Sequence, residues 1–461
     1  MTHHQTLTPL FVAIIAGIGM FLSTLDAGII NVAIPSLIQV FNSNLDVVIW
    51  TVTLYALIVS ATILFFGQLA DRIGRLKIYK MGLTMFAIIS LFCGLSSNIH
   101  TLIIFRALQG LSAAMLQASS IAVITTRLKS ADLAKALGIL GMIMGLGPMM
   151  GPVLGGILLN SIGWQWMFWI NIPICLYGIY GCHRLPTTNE ELHPHPLNFL
   201  NLILFGASLF MLLLGINYLI KNIIVANLLF MGMLILFLIH VYIEKKSPHP
   251  TIHYALFKKC TFAAPIIGII AMGGATAIVL ILPPLFFENL KNYQAWQVGF
   301  ISLSAPLGIV VAARIAAHLT RTFDCKMLML CGMTLMSIML LVLTNIKVDW
   351  ATPCIFLLLF VYGFGTGFFH ISTLIYLTSQ FPMHKQAFIS SLLRMFQNAS
   401  IALTAAASAM LISMKFHMTQ EALLLGIQQS WCLAATMTVL ALLALLYMII
   451  RTTRLKFWSS Q

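Results

Sequence analysis

Charged residues are scarce in this chain of 461 residues. Asp, Glu, Lys and Arg make up 8% of it, whereas apolar and aromatic types make up 60%. A water-soluble domain carries about 25% charged residues, so the scarcity excludes a soluble globular protein. Windows of about 20 apolar residues, the length that crosses the hydrocarbon core of a bilayer, recur along the whole sequence. The composition therefore predicts a polytopic membrane protein.

Other absences exclude classes of function. The eight cysteines are scattered without a CxxC pair and are interpreted as small packing residues. No GxxxxGK[ST] segment occurs, so no nucleotide is implied, and no nucleophile–base constellation indicates an enzyme. His183, His193 and His195 could bind a metal, but a solvated loop is the interpretation we adopt. We expect no cofactor, no metal and no nucleic-acid partner.

Long apolar runs predict about fourteen transmembrane helices. Lipid cannot satisfy an unpaired backbone, and a β-barrel would show alternation in place of continuous runs. The predicted spans lie near 9–32, 47–66, 78–97, 101–125, 136–160, 165–182, 198–218, 222–243, 261–284, 298–318, 327–345, 352–376, 387–412 and 429–450.

Two polar segments divide these helices into groups of six, two and six. We expect an N-terminal six-helix bundle over 1–184, a linker with two accessory helices over 185–255, and a C-terminal six-helix bundle over 256–461. Parallel halves with weak internal symmetry indicate a transporter that rocks around a central cavity. The two accessory helices are expected to be dispensable for the twelve-helix core.

Lys and Arg are distributed unequally between the predicted loops. With the N-terminus placed inside, nineteen of the 25 fall in inner loops and the tail, and four fall in outer loops. This positive-inside bias predicts that both termini are cytoplasmic. The net charge of +14 is thus explained by topology. The first apolar run has no preceding Lys or Arg, which argues against a cleaved signal peptide.

The stretch GLGPMMGPVLGG, residues 145–156, places helix breakers inside an apolar run with no polar turn residue. Gly147, Gly151 and Gly155 are spaced i, i+4, i+8 and share one helical face. Small faces let helices approach closely in lipid, and the two prolines bend the helix. We therefore predict a kinked helix whose small face packs on a neighbour. The alternative is close packing without any bearing on transport.

Of eleven acids, only Asp26 lies well inside a predicted helix. Burial favours the neutral form of a carboxyl group, so Asp26 could bind and release a proton during transport. The alternative is an acid held by neighbours such as Asn31 or Arg106. Arg106 and Arg394 are the two cations inside spans. His370 is a further titratable candidate, or a core histidine bonded to backbone.

Five motifs resemble those of one transporter family. GQLADRIGRLKIYK is similar to the signature loop of the major facilitator superfamily, RALQGLSAA to its fourth-helix motif, and GLGPMMGPVLGG to its antiporter motif. LDAGIINVAIP and GWQWMFWINIPI narrow the resemblance to its fourteen-helix drug/proton antiporters of the EmrB/QacA type. The resemblance covers the whole chain and implies an all-α integral membrane fold of two six-helix bundles plus two central helices.

The resemblance also implies roles for individual residues. It implies proton coupling through Asp26 and Arg106. It implies a gating loop of Gly67, Asp71, Arg72, Gly74 and Arg75, and an antiporter helix motif of Gly147, Gly151, Pro152, Gly155 and Gly156. We expect the substrate cavity to include Asn31, Gln109, Glu288, His370, Arg394, Gln397 and Asn398.

Asp71 is the one charged residue of the gating loop whose presence is not explained by the positive charge expected of inner loops. It can hold a cationic partner or a helix N-terminus in one transport state only. The basic residues of the loop are explained equally well as topology signals. In the later copy of the motif, Ala313 and Ala317 occupy the Gly and Asp positions, so any latch should be asymmetric.

The expected function is a proton-coupled, multidrug-type exporter in a bacterial inner membrane. It would act as a monomer on a small-molecule substrate, with the proton gradient in place of a cofactor. Gln397 and Asn398 replace the glycines that usually follow Arg394 in the family, which makes the cavity unusually polar. The alternatives are an exporter of an anionic or zwitterionic metabolite such as a carboxylate-bearing siderophore, a uniporter or importer, and a non-transporting receptor or scaffold.

Overall fold

The structure is a computed structural model that describes residues 9–128, 130–185, 198–219, 222–247, 254–320, 322–381, 386–413 and 420–459. These residues fold into seventeen α-helices and one 3₁₀ helix. In chain order they are α1 (Pro9–Val40), α2 (Leu45–Val48), α3 (Trp50–Ile73), α4 (Arg75–Gly94), α5 (Ile99–Thr125), α6 (Ser130–Ser161), α7 (Trp166–Trp169), α8 (Asn171–Arg184), α9 (Phe199–Tyr218), α10 (Ile223–Lys246), the 3₁₀ helix (Tyr254–Lys258), α11 (Cys260–Asn289), α12 (Ala295–Ser302), α13 (Ser304–Leu319), α14 (Cys325–Leu343), α15 (Thr352–Ser379), α16 (Gln386–Ser413) and α17 (Gln420–Ser459). The predicted all-α membrane fold is confirmed.

Twelve segments of the described residues are long and apolar enough to cross a bilayer, so the predicted count of fourteen is not confirmed. The predicted spans 136–160 and 165–182 fall on α6 and on α7 with α8, which are not among the twelve. α8 has only 14 residues, fewer than the roughly 20 that a bilayer requires. In α6 the residues Lys135–Gly147 form a shorter apolar segment.

Three predicted spans are each interrupted: 47–66 is divided between α2 and α3 at Ile49, and a proline explains the other two interruptions. Within 165–182, α7 ends at Trp169, four residues before Pro173. Within 298–318, α12 ends at Ser302, four residues before Pro306. A proline removes the N–H that would bond to the carbonyl four residues earlier, and its ring crowds that carbonyl. The break therefore falls one turn ahead of the proline in each case.

The described chain divides into two compact units. The first contains Met1–Phe210 and Thr378–Met395, and the second contains Met211–Leu377 and Phe396–Gln461. The first unit includes α1 through α8 and the first ten residues of α16. The second includes α10 through α14 and α17.

In the first unit, α1 packs along α6, and α5 packs against both α3 and α4. The glycine-rich stretch is helical, as predicted, because α6 continues through it. A Cβ added at Gly151 would lie 2.7 Å from the Cα of Gly28, and one added at Gly155 would lie 3.2 Å from the carbonyl oxygen of Ile29. The absence of side chains on this face lets the two backbones meet. Gly156 lies off this face, since a Cβ there would meet nothing within 4 Å.

In the second unit, α17 packs against α11 and α14. Glycines again mark the close crossings. A Cβ added at Gly332 of α14 would lie 2.5 Å from the backbone nitrogen of Phe369 in α15. One added at Gly308 of α13 would lie 2.7 Å from the backbone nitrogen of Phe364. Lipid gives no hydrophobic drive for helix association, so such close van der Waals contacts hold the helices together.

Candidate functional site

A buried ion pair joins α1 to α5 in the first unit. Nη1 of Arg106 contacts Oδ2 of Asp26 as both an ion pair and a hydrogen bond. Arg106 is fully buried, and Asp26 is 3% exposed. Two opposite charges in a medium of low dielectric compensate each other, whereas one alone would be costly. The sequence pattern identified these two residues, and the structure brings them into contact.

Two side-chain amides complete the surroundings of the Asp26 carboxylate. Nδ2 of Asn171, in α8, donates to Oδ1 of Asp26 at 3.2 Å. Nε2 of Gln109, in α5, lies 3.3 Å from the same oxygen and also donates to Oγ of Ser90 at 2.9 Å. Gln109 and Asn171 are both fully buried. The carboxylate thus has a guanidinium on one oxygen and two amides on the other.

Arg106 has partners besides Asp26. Its Nε donates to the carbonyl oxygen of Thr51 at 3.0 Å, and its Nη1 also donates to Oε1 of Gln109 at 2.7 Å. Its Cζ lies 4.3 Å from the centre of the Tyr55 ring and 5.8 Å from that of Phe168. The guanidinium is therefore held even without its carboxylate, by two oxygen acceptors and an aromatic face.

This network links five helices through neutral and charged groups. Asp26 comes from α1, Tyr55 from α3, Ser90 from α4, Gln109 and Arg106 from α5, and Asn171 from α8. Protonation of the acid would remove the charge that the guanidinium pairs with and would change the bonds among these helices. The charge on Asp26 therefore takes part in the hydrogen bonds that join these helices.

Sequence reasoning missed three members of the network: Tyr55, Ser90 and Asn171. Asn171 does lie within the motif GWQWMFWINIPI, so its polarity in an apolar segment was an available signal. Nothing in the sequence marks Tyr55 or Ser90, because an aromatic residue or a serine is common inside membrane helices. Asn31 and Arg106 were the expected neighbours of Asp26. Arg106 contacts it, whereas the side chain of Asn31 lies outside the described residues, as does that of Pro152.

The gating-loop residues lie at the end of α3 and the start of α4, which are joined by Gly74; its φ of 107° is a conformation that side chains disfavour. Oδ1 of Asp71 accepts from Nε and Nη2 of Arg75 at 3.0 and 2.9 Å. Oδ2 of Asp71 accepts from the backbone N–H of Phe388 at 2.8 Å, in the first turn of α16. Asp71 therefore contacts both a cationic partner and a helix N-terminus.

Two further residues of this loop contact neighbouring helices. A Cβ added at Gly67 would lie 3.1 Å from the carbonyl oxygen of Ala387 in α16, so the backbones pass closely there. Arg72 is half-buried, and its Cζ lies 5.9 Å from the centre of the Phe199 ring. The gating-loop residues thus contact both α16 and α9.

The other described residues of the predicted cavity lie on α11, α15 and α16. Arg394 is buried in α16, and its Nη2 lies 2.8 Å from Sδ of Met144 in α6. Glu288 is exposed at the end of α11. His370, Gln397 and Asn398 are half-buried in the second unit, on α15 and α16. Among the described residues no group of three or more His, Cys, Asp or Glu is arranged to hold a metal ion.

Comparison with known proteins places this geometry in a family. The family described as Major Facilitator Superfamily matches residues 16–258 and 264–458. The riboflavin transporter RibZ of Clostridioides difficile is 31% identical over 453 residues, which cover 96% of this chain and 98% of that protein. Multidrug resistance protein 3 of Bacillus subtilis is 28% identical, over 76% of this chain and 69% of its own length. The probable multidrug resistance protein EmrY of Escherichia coli is 29% identical, over 65% and 59%.

A solved structure supports the fold independently. The crystal structure of the human organic anion transporter MFSD10 (TETRAN) superimposes with a TM-score of 0.69 and covers 95% of this chain and 100% of its own. Its sequence identity is 13%, so it is evidence for the fold alone. The chain therefore belongs to the Major Facilitator Superfamily and is a multi-pass membrane transporter whose relatives include bacterial multidrug transporters.

Proposed function

We propose that this chain is a proton-coupled antiporter that exports small molecules of the multidrug type by alternating access. One observation carries the proposal: the buried pair of Asp26 and Arg106, which links α1 to α5 inside a membrane bundle. Ionisable groups at such depth are costly unless they serve a function such as proton transfer. Relatives named as multidrug transporters favour export of organic compounds.

Coupling would follow from the charge on Asp26. When the acid is ionised, it attracts Arg106 and accepts from two amides; when it is protonated, the attraction to Arg106 is lost. A proton taken from the outside and released to the cytoplasm would then drive the change between outward-open and inward-open states. The glycine face of α6 on α1, and Asp71 on α16, are the contacts that we propose to form in one state and open in the other.

We further propose a bacterial inner-membrane location with both termini in the cytoplasm. The excess of Lys and Arg in the predicted inner loops supports this orientation. The helices of 185–255 would be an accessory pair. The transporter would act as a monomer, without a metal or an organic cofactor.

The test is transport in proteoliposomes with an imposed pH gradient. Asp26→Asn keeps the size of the side chain and one oxygen acceptor but removes the titratable charge, so proton-driven efflux should be lost while the protein remains folded. Asp349→Asn makes the same change at an exposed outer-loop position and should leave efflux unchanged. Gradient-driven efflux by Asp26→Asn would move the coupling role to Glu288 or His370. Insensitivity of the wild-type protein to the gradient would favour a uniporter.

A second candidate function is riboflavin transport. Its basis is the likeness to RibZ, which covers nearly the whole of both chains, whereas the multidrug relatives are matched over shorter shares. Riboflavin and an ethidium-like cation should be offered to the same proteoliposomes. Saturable riboflavin flux that ethidium does not inhibit would favour the flavin. Proton-driven ethidium efflux that riboflavin does not inhibit would favour the multidrug role.

A further inference from the structure

We infer that Asn171 is a positioning residue for the proton on Asp26. Its amide donates to the carboxylate in the ionised state and turns to accept the hydrogen bond of the carboxylic acid in the protonated state. The inference rests on the proposed function, because it requires Asp26 to take up a proton.

The side-chain amide of Asn171 uses its donor but not its acceptor. Its Nδ2 donates to Oδ1 of Asp26 at 3.2 Å, whereas its own Oδ1 is buried and has no hydrogen-bond donor among the described residues. A carboxylate only accepts hydrogen bonds, but a carboxylic acid also carries an O–H donor that needs an acceptor. The vacant oxygen of Asn171 lies on the same amide group that already faces the acid. A turn of this amide about its terminal torsion would present that oxygen to the proton.

Gln109 faces the same carboxylate oxygen but is not able to turn at equal cost. Its Oε1 accepts from Nη1 of Arg106 at 2.7 Å and lies 3.6 Å from Sγ of Cys93. Its Nε2 donates to Oγ of Ser90 at 2.9 Å as well as facing Asp26. Turning Gln109 would break bonds at both ends of its amide. Turning Asn171 breaks only the bond that protonation itself weakens.

Arg106 does not have to leave when the acid is neutralised. It keeps the carbonyl oxygen of Thr51 at 3.0 Å, the amide oxygen of Gln109 and the face of Tyr55. The proton can therefore be accommodated by the rotation of one neutral amide, and this amide belongs to α8. Proton binding to Asp26 would in this way change a hydrogen bond made by α8 as well as the ion pair made by α5.

Titratable groups on four helices face Asp26. The described groups that interact with this acid electrostatically include Arg106 on α5, Tyr55 on α3, Cys93 on α4 and Cys175 on α8. The part of α6 that packs on this turn of α1, Gly147–Gly155, has no titratable side chain. Arg106 is thus the charged group that accompanies the acid, and the neutral amides are what distinguishes its two protonation states.

The experiment measures proton release when substrate is added to purified full-length protein, as a function of pH, with ethidium and riboflavin as the two probe substrates. Asn171→Leu removes both donor and acceptor at similar volume. A hydrogen bond to a charged group is worth about twice one between neutral groups, so the variant loses more in the ionised state. We expect the midpoint of proton release to move to higher pH by about 0.5 to 1 unit. Substrate exchange, which needs no net proton movement, should stay within about twofold of the wild type.

Two further variants keep the outcome interpretable. Cys182→Ala changes an equally buried side chain on the same helix, away from Asp26, and should leave the midpoint unchanged. Asn171→Ser retains one hydroxyl that both donates and accepts, and should move the midpoint by less; it also replaces Asn171→Leu if that variant does not fold. Unchanged midpoints in the Asn171 variants, while Asp26→Asn abolishes proton release, would overturn the inference alone. Normal proton release by Asp26→Asn would instead overturn the proposed function.

Discussion

The Cζ atom of Arg106 lies 4.3 Å from the centre of the Tyr55 ring. This contact gives the guanidinium an electron-rich face in a buried position, because Arg106 is fully buried and its Nη2 has no hydrogen-bond acceptor among the described residues. The hydroxyl of Tyr55 meanwhile donates to the carbonyl oxygen of Ser23 at 3.2 Å, beside the turn of α1 that carries Asp26. One side chain thus orients the cation and anchors the helix of the acid.

The two roles of Tyr55 can be separated by substitution. Tyr55→Phe keeps the ring and loses one hydrogen bond, so we expect a loss of about 1 kcal/mol in stability and continued proton-driven transport. Tyr55→Leu also removes the aromatic face, which is worth roughly 2 kcal/mol in a site without water, and should reduce transport further. Thermal unfolding in detergent and flux in proteoliposomes measure the two effects. Equal behaviour of the two variants would mean that the ring face contributes nothing.

The antiporter stretch contains its own matched pair of glycines. Gly151→Ala would place a Cβ 2.7 Å from the Cα of Gly28, so α1 and α6 must separate. Forcing extra volume into such a contact costs about 1 to 3 kcal/mol, and we expect lower thermal stability and much reduced antiport. Gly156→Ala meets nothing within 4 Å and should be neutral or slightly stabilising. If both substitutions had the same effect on unfolding and flux, the close contact would not be the cause.

The pair of Asp71 and Arg75 is suited to a double-mutant cycle. Both side chains are buried, and Nε and Nη2 of Arg75 donate to the carboxylate of Asp71. Asp71→Asn removes the negative charge of that carboxylate. Breaking a buried pair from one side costs roughly 3 to 5 kcal/mol, whereas replacing both partners costs less. We therefore expect Asp71→Asn with Arg75→Gln to unfold at a higher temperature than Asp71→Asn alone. Additive losses in the double variant would show that the two side chains are not coupled.

Arg394 tests the alternative of an anionic or zwitterionic substrate. A guanidinium suits bidentate binding of a carboxylate, and Arg394 is buried at the level of Met144 of α6. For a carboxylate substrate, Arg394→Ala should lower transport by about 10- to 100-fold, the loss of a hydrogen bond to a charged group. Arg394→Lys should restore part of it, since it keeps the charge. Robust proton-driven efflux of ethidium-like cations, unaffected by Arg394→Ala, would contradict the anionic alternative.

The candidate site was accessible to sequence reasoning in its charged members and in Gln109. Asp26 and Arg106 are conspicuous, because an ionised group within an apolar run is costly and rare. Of their neutral partners, Ser90 and Tyr55 are not conspicuous, since such residues occur singly in lipid-embedded helices at modest cost. The signal from Asn171 was its polarity within the motif GWQWMFWINIPI. Glu288 was expected to line the cavity near its outer mouth, and it is an exposed residue at the end of α11. Its position depends on where α11 ends.

What the sequence by itself determined is the class of the protein, its helical secondary structure and its family. These depend on composition and local pattern: apolar runs that lipid permits only as helices, the charge bias between loops, and the motif around Asp71. It also determined that Gly147, Gly151 and Gly155 share a face, because the α-helical repeat follows from backbone geometry alone.

Only the tertiary structure decided that the glycine face of α6 packs on α1. It alone decided that Asn171, 145 residues from Asp26 along the chain, donates to that acid. The physical reason is that side-chain partners in a helix bundle depend on the rotation and depth of helices distant in sequence. Those are set jointly by all the packing contacts, such as Gly151 on Gly28, and no local pattern encodes them.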